Sequence, residues 1–179
     1  MQSIIYKGPG KFAIEDRPKP IIKKADDVMI KVLGVCICGT DINIFATPQK
    51  HPSRPGIIFG HEFCGQVVEV GEAVTSLKPG DKVIVDPHGP CGYCDACRAG
   101  LPEMCKNLYL DEPGLVGQAN AMGVFKDGGL TSYTLVPEKF AYKIAADTPA
   151  ELMALAEPLA CCGYSLEKLN IHVGDTVCI

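Results

Sequence analysis

The chain has 179 residues, 47% of them hydrophobic, and a formal net charge of −4. That composition supports a packed core and excludes global disorder, while the acidic balance argues against nucleic acid or an anionic membrane as the main partner. No N-terminal apolar run resembles a signal peptide, and no stretch approaches the roughly 18 apolar residues of a membrane span. The expectation is a soluble, cytoplasmic chain forming one large domain, or a domain plus the start of another.

In chain order, "SIIYKGPGKFAIEDRP" predicts a hairpin around Gly8-Pro9-Gly10, and "DVMIKVLGVCIC" a strand covered on one side. "FGHEFCGQVVEVG" reads as a half-buried strand with a titratable pair, His61 and Glu62, in a row. "GQVVEVGEAV" and "DKVIVDP" are strands joined by the turn "LKPGD". "CGYCDACRAGLPEMC" breaks every period and predicts an irregular loop, after which "GGLTSYTLVP" and "FAYKI" return to strand character. Short strands in this order imply a small, partly open β-barrel. From "TPAELMALAEPLACCGYSLEKLN" onward the spacing turns helical, with Thr148 as N-cap and Pro149 first in the helix. Pro158 predicts a break into two helices with Glu157 at the junction. The final "VGDTVCI" predicts a new strand.

Ten cysteines is a high count, and in a cytosolic chain it points to metal rather than disulfides. Cys91, Cys94, Cys97 and Cys105 have the spacing C-x2-C-x2-C-x7-C. Two-residue gaps let successive thiolates converge on one tetrahedral ion, and Gly92, Gly100 and Pro102 supply tight turns. An all-cysteine tetrahedron leaves no open position, so the zinc it predicts is structural. Two disulfides, free thiols or an iron–sulfur cluster are the alternatives.

Cys38, Thr40 and Asp41 in "CICGTD", the pair His61 and Glu62, and Glu157 in "LAEPLACC" could together make a second, mixed-ligand site. Mixed sites with an open position are the ones that do chemistry. Alone, each has a plainer explanation: Cys38 as a small buried hydrophobe, Thr40 or Asp41 as a helix N-cap, His61 as a satisfied histidine.

These motifs closely resemble the zinc-dependent medium-chain dehydrogenase/reductase family, which includes alcohol, sorbitol and threonine dehydrogenases. "GHEFCGQVVEVGEAV" fits its zinc signature G-H-E-x2-G-x5-G-x2-V, and "CGTD" the segment supplying the first catalytic ligand. The four-cysteine loop fits its structural-zinc lobe, "DGGLTSYTLVP" the glycine-marked strand after it, and "EPLACC" the branch with glutamate as third ligand. The resemblance implies a mainly β fold with short helices. Residues 1–147 would form a GroES-like, partly open β-barrel with a zinc lobe at about 88–108, and residues 148–179 linker helices and the first strand of a Rossmann domain. It implies two zinc ions. Cys91, Cys94, Cys97 and Cys105 would hold the structural one. Cys38, His61, Glu62 and Glu157 would hold the catalytic one, with Glu62 directly or just behind the metal and Glu157 directly or through water. Asp41 would orient His61, and Thr40 would take the alcohol proton. The implied activity is NAD- or NADP-dependent oxidation of a small secondary alcohol or polyol through a zinc-bound alkoxide.

Asn43 stands where many members carry a relay histidine, and His51, in the loop "TPQKHPSRP", reads as solvated rather than as a substitute. His88 and His172 read as turn and surface residues. Cys36, Cys64, Cys161, Cys162 and Cys178 sit among apolar residues and read as buried thiols, although Cys161 and Cys162 could approach the metal. No glycine-rich dinucleotide loop follows Ile179. The expectation is therefore a catalytic half that binds zinc without turnover by itself, and whose tail from 148 is poorly ordered or self-associates. The alternative function is a zinc-stabilised GroES-like binding module without redox activity. A quinone-reductase relative is disfavoured by the cysteine loop, and a nucleic-acid zinc ribbon by the charge.

Overall fold

A computed structural model describes residues 1–106, 121–169, 171–172 and 174–178, together with the backbone of 109–112 and 115–118. Strands β1 (Gln2–Gly8) and β2 (Lys11–Asp16) form the expected antiparallel hairpin, with Ile4 opposite Ile14. Its turn needs Gly10 at φ 70°, a left-handed value that favours glycine.

Strand β3 (Asp27–Cys36) enters a five-stranded antiparallel sheet with β4 (Glu62–Val70), β5 (Lys82–Val85), β8 (Tyr133–Pro137) and β9 (Ala141–Lys143), in the order β8-β3-β4-β5-β9. A separate hairpin pairs β6 (Tyr109–Glu112) with β7 (Leu115–Gln118). The first hairpin docks through backbone bonds, Ile4 N–H to the Leu130 carbonyl at 2.9 Å and Tyr6 N–H to that of Ile57 at 3.0 Å. The result is an open barrel of sheets, as the alternating short strands implied. β3 is not covered on one side only: Val28, Met29 and Ile30 are all buried in succession, because this strand is paired on both edges and packed on both faces.

Val28, Ile30, Phe63, Val67, Val83 and Val136 form the main core, and Tyr6, Ile44, Phe59 and Phe125 a second cluster under the hairpin. Full burial of each such side chain contributes about 1.5–3 kcal/mol relative to exposure.

The helical segment divides into α3 (Ala150–Ala154) and α4 (Ala156–Leu169). The division falls at Leu155, not Glu157. Pro158 lies inside the first turn of α4, where its missing N–H costs little. Pro149, rather than Thr148, occupies the N-cap position of α3. α3 packs on the sheet through Met153 and Ala154. α4 is helical over its length, and its residues beyond Pro158 are all exposed. The strand expected at "VGDTVCI" is absent among the described residues 174–178, since no sheet edge pairs with them. Cys161, Cys162 and Cys178 are likewise exposed rather than buried, because no described element covers that face.

A polar clasp closes the loop before β5. Glu138 Oε1 accepts from Thr75 N–H (2.8 Å), Ser76 N–H (2.6 Å) and the Ser76 hydroxyl (2.7 Å). The Ser76 N–H, then its hydroxyl and Thr75, hold this carboxyl below the ordinary value of 4.5. A lowered carboxylate pKa gives stability that is present above the unfolded value and lost as pH falls through the folded one. Glu138→Gln should therefore cost about 1 kcal/mol at neutral pH, a modest figure because the site is solvent-screened. In urea unfolding the difference from the parent should shrink in acid; a pH-independent difference would rule out the charged clasp.

Candidate metal centres

The register of β3 against β4 pairs Cys36 with Glu62. The residues just beyond β3 and just before β4 therefore meet at one end of the sheet, which brings Cys38 to His61 and Glu62. Cys38 then opens helix α1 (Gly39–Phe45) as its N-cap: its sulfur accepts from Thr40 N–H at 3.4 Å, and Asp41 Oδ2 accepts Cys38 N–H at 2.9 Å. This is a capping box with cysteine in the place usually held by serine or threonine. Neither Thr40 nor Asp41 is the N-cap.

Asp41 has a second task. Its Oδ1 faces His61 Nδ1 at 3.2 Å, with both side chains almost fully buried. The two atoms are not aligned as a hydrogen bond, and among the described residues the only other such orphaned buried polar atom is Arg17 Nε. Gly60, at φ +88°, turns the chain immediately before His61. A Cβ there would come within 2.8 Å of Leu130 Cγ.

The ligand atoms of Cys38, His61 and Glu62 all lie within 4.8 Å of one another. Bonds of about 2.0–2.3 Å to one tetrahedral ion need separations of roughly 3.3–3.8 Å, within reach of small side-chain rotations. Glu62 is 6% exposed, and a buried carboxylate is costly without a cation or donor. Burial pushes the Cys38 thiol up, the Thr40 hydrogen bonds oppose it, and the Glu62 hydrogen bond and charge add a smaller push upward. Burial pulls His61 down, but the Asp41 carboxylate, with Glu157 and Glu62 behind it, outweighs that and the net direction is up. An acidic, thiol- and imidazole-bearing pocket fits a divalent cation. Thiolate, imidazole and carboxylate are all zinc donors.

Glu157 starts α4 half-buried, outside the set of three ligand atoms but close enough for its charge to act on His61. Burial raises its pKa, and His88 is the leading charge opposing that, ahead of His61. His88 is half-buried just after β5. Asp86 Oδ1 accepts its backbone N–H at 2.8 Å and faces its Nδ1 at 3.4 Å. Cys161, one helical turn beyond Glu157 and exposed, is raised by partial desolvation and by the charges of Glu157, Cys162, Cys38 and Glu62. Asn43 is exposed on α1, and His51 Nδ1 contacts the Pro52 carbonyl at 2.8 Å within its own loop, half-buried rather than solvated.

The second cluster is the cysteine lobe. Cys94 opens the one-turn helix α2 (Asp95–Arg98), and Cys105 is fully buried at the end of the lobe's second turn. The sulfur separations are 3.5 Å for Cys94–Cys97, 3.9 Å for Cys94–Cys105 and 4.0 Å for Cys91–Cys97. A tetrahedron with zinc–sulfur bonds of about 2.3 Å has edges of about 3.8 Å, whereas a disulfide needs about 2.05 Å. All ten cysteines are free. Backbone N–H groups of Tyr93 and Cys94 point at the Cys91 sulfur (3.5 and 3.4 Å), and Cys91 N–H at that of Cys105 (3.3 Å). These are donors suited to thiolates. Partial desolvation and three neighbouring thiols push Cys97 up, while the Cys97 and Lys106 backbone donors hold Cys94 down. The four sulfurs can hold one zinc.

No helix among the described residues is long and apolar enough to cross a membrane. Residues 24–146 match the alcohol dehydrogenase GroES-like domain family. The chain is 31% identical over 179 residues to D-xylulose reductase A of Aspergillus oryzae, covering 99% of this chain and 47% of that protein. It is 40% identical over 156 residues to L-threonine 3-dehydrogenase of Caldanaerobacter subterraneus subsp. tengcongensis, covering 86% and 42%. A Sinorhizobium meliloti 1021 protein assigned as a zinc-binding dehydrogenase, solved with NADP, superposes with a TM-score of 0.84 at 34% identity, covering 98% and 47%. The chain spans about half the length of the curated relatives it matches. With both cysteine-bearing clusters assembled on this fold, the chain belongs to the alcohol dehydrogenase GroES-like domain family of the zinc-dependent medium-chain dehydrogenases.

Proposed function

We propose that this chain carries the catalytic and structural zinc sites of an NAD(P)-dependent dehydrogenase of small secondary alcohols or polyols. The observation that carries the reading is the buried meeting of Cys38, His61 and Glu62, drawn from two separated segments, with Asp41 set against the His61 ring. Zinc held there would act as a Lewis acid toward an alcohol hydroxyl, making it easier to deprotonate.

The remaining work falls to the chain. Cys38, His61 and Glu62 supply the ligands. Asp41, 3.2 Å from Nδ1, would orient the His61 ring and leave its other nitrogen to bind the metal. Glu157 completes the set, directly or through a water, from the start of α4. Thr40, whose N–H already donates to the Cys38 sulfur, presents its hydroxyl beside the site to receive the substrate proton. Asn43 cannot carry that proton onward as an acid or base, so it leaves through water. The relatives' names, a xylulose reductase and a threonine dehydrogenase, support a secondary alcohol on a small polar molecule.

Zinc stoichiometry of the purified chain tests this. Two zincs per chain are expected, one lost in Cys38→Ser and the other in Cys91→Ser. A single zinc that survives Cys38→Ser would overturn the catalytic site and leave the zinc-stabilised binding module.

A further inference from the structure

α3 sits unusually close to the sheet. A Cβ on Gly34 of β3 would meet the Ala150 carbonyl at 3.2 Å, Cys64 Sγ at 3.3 Å and Ala154 Cβ at 3.4 Å. Two thiols take hold of the helix at its ends. Cys64 Sγ lies 3.5 Å from the Ala150 carbonyl, and Cys36 Sγ lies 3.6 Å from that of Ala154.

The Ala154 carbonyl is a special acceptor. In an uninterrupted helix it would receive the N–H of residue 158, but Pro158 has none. Intrahelical bonding resumes one residue later, from Leu159 N–H to the Leu155 carbonyl at 3.0 Å. The Cys36 thiol covers the carbonyl that Pro158 leaves open, and an uncovered buried carbonyl is costly. Cys36 is also the last residue of β3, two positions before Cys38, while Ala154 stands three before Glu157. One side chain therefore ties the segment that delivers Cys38 to the segment that delivers Glu157.

We infer that Cys36 is a positioning residue, which holds the start of α4 so that the Glu157 carboxylate faces the Cys38, His61 and Glu62 cluster. Cys64 secures the other end of α3. The inference rests on the proposed metal site and adds the device that aims its fourth group. A thiol that only fills space could be exchanged for valine; a thiol that donates could be exchanged for serine but not for valine.

The test loads the lobe of the full chain with zinc and titrates the second site with Co²⁺, following the visible cobalt bands. Cys36→Val should weaken cobalt binding about tenfold, the low end for a group that orients a ligand, and shift the bands. Cys36→Ser should restore both. In a Glu157→Ala background, Cys36→Val should have no further effect. Parent-like affinity and bands in Cys36→Val, or an undiminished loss without Glu157, would overturn the inference. If the parent takes up no cobalt at this site, the proposed function fails instead. The ¹³C resonance of the Glu157 carboxyl in the metal-free chain then decides: movement in Cys36→Val but not in Cys36→Ser supports the tether, and no movement overturns it.

Discussion

Cys105→Ser should empty the lobe of zinc and cost the chain several kcal/mol of folding free energy. Structural zinc contributes on the order of 10 kcal/mol of apparent binding energy at neutral pH, and the metal-free lobe has little to replace it. The helix α2 is a single turn, Tyr93, Leu101 and Met104 face solvent, and among the described lobe residues 91–106 only Cys105 is fully buried. Partial desolvation and the neighbouring thiols push Cys97 toward the protonated form, so without a cation the four sulfurs supply no cross-link of their own. Denaturation with and without a chelator checks this. The chelator should destabilise the parent far more than Cys105→Ser, which has only the Cys38-site zinc left to lose, and should bring the two to a similar stability. A variant as stable as the untreated parent would mean that the lobe holds itself together without metal.

Gly128→Ala should be among the most damaging of the single-methyl additions. The new Cβ would stand 2.1 Å from the Gly60 carbonyl oxygen, 2.5 Å from Gly123 Cα and 2.8 Å from Gly123 N, all backbone atoms. Nothing there is the free end of a side chain, so backbone must move. Overpacking of this kind costs about 3 kcal/mol or more. The displaced segment is Gly60, whose carbonyl accepts Gly129 N–H at 2.8 Å and which precedes His61. The variant should lose zinc from the Cys38 site as well as stability. Gly163→Ala is the control: this helical glycine has nothing within 4 Å of its Cβ position, and the change should stabilise by about 0.5–1 kcal/mol. Equal effects from the two substitutions, measured by thermal unfolding and zinc content, would refute the argument.

Spacing alone was enough to read the cysteine lobe, because its ligands lie within fifteen residues of one another and local turns bring them together. The hairpin around Gly8-Pro9-Gly10 and the helical character after Pro149 were legible for the same reason: both are set by backbone preferences of neighbouring residues. The glycine pair Gly128-Gly129 marked a strand entry, and the packing shows its cause in the backbone of Gly60 and the ring of Phe63. Where neighbours beyond the local window decide, the sequence was mute or misleading. β3 looked one-sided, since a strand's second covered face depends on which elements pack there. Cys38 did not look like a helix cap, since cysteine seldom fills that role; here Asp41 holds it there. Glu157 was placed at a helix break that falls at Leu155, since the seat of α3 on Gly34, Cys36 and Cys64 sets where the helix bends.

By itself, then, the sequence determined the donor types, the lobe spacing and the order of strands and helices, all matters of local covalent geometry and composition. Only the tertiary structure decided that Cys38, His61 and Glu62 bring their ligand atoms within 4.8 Å of one another, because that follows from the pairing of Cys36 with Glu62 across two strands. The same pairing brought Asp41 against His61. Such contacts arise when distant segments are brought together by burial of the core between them, and no local preference encodes them.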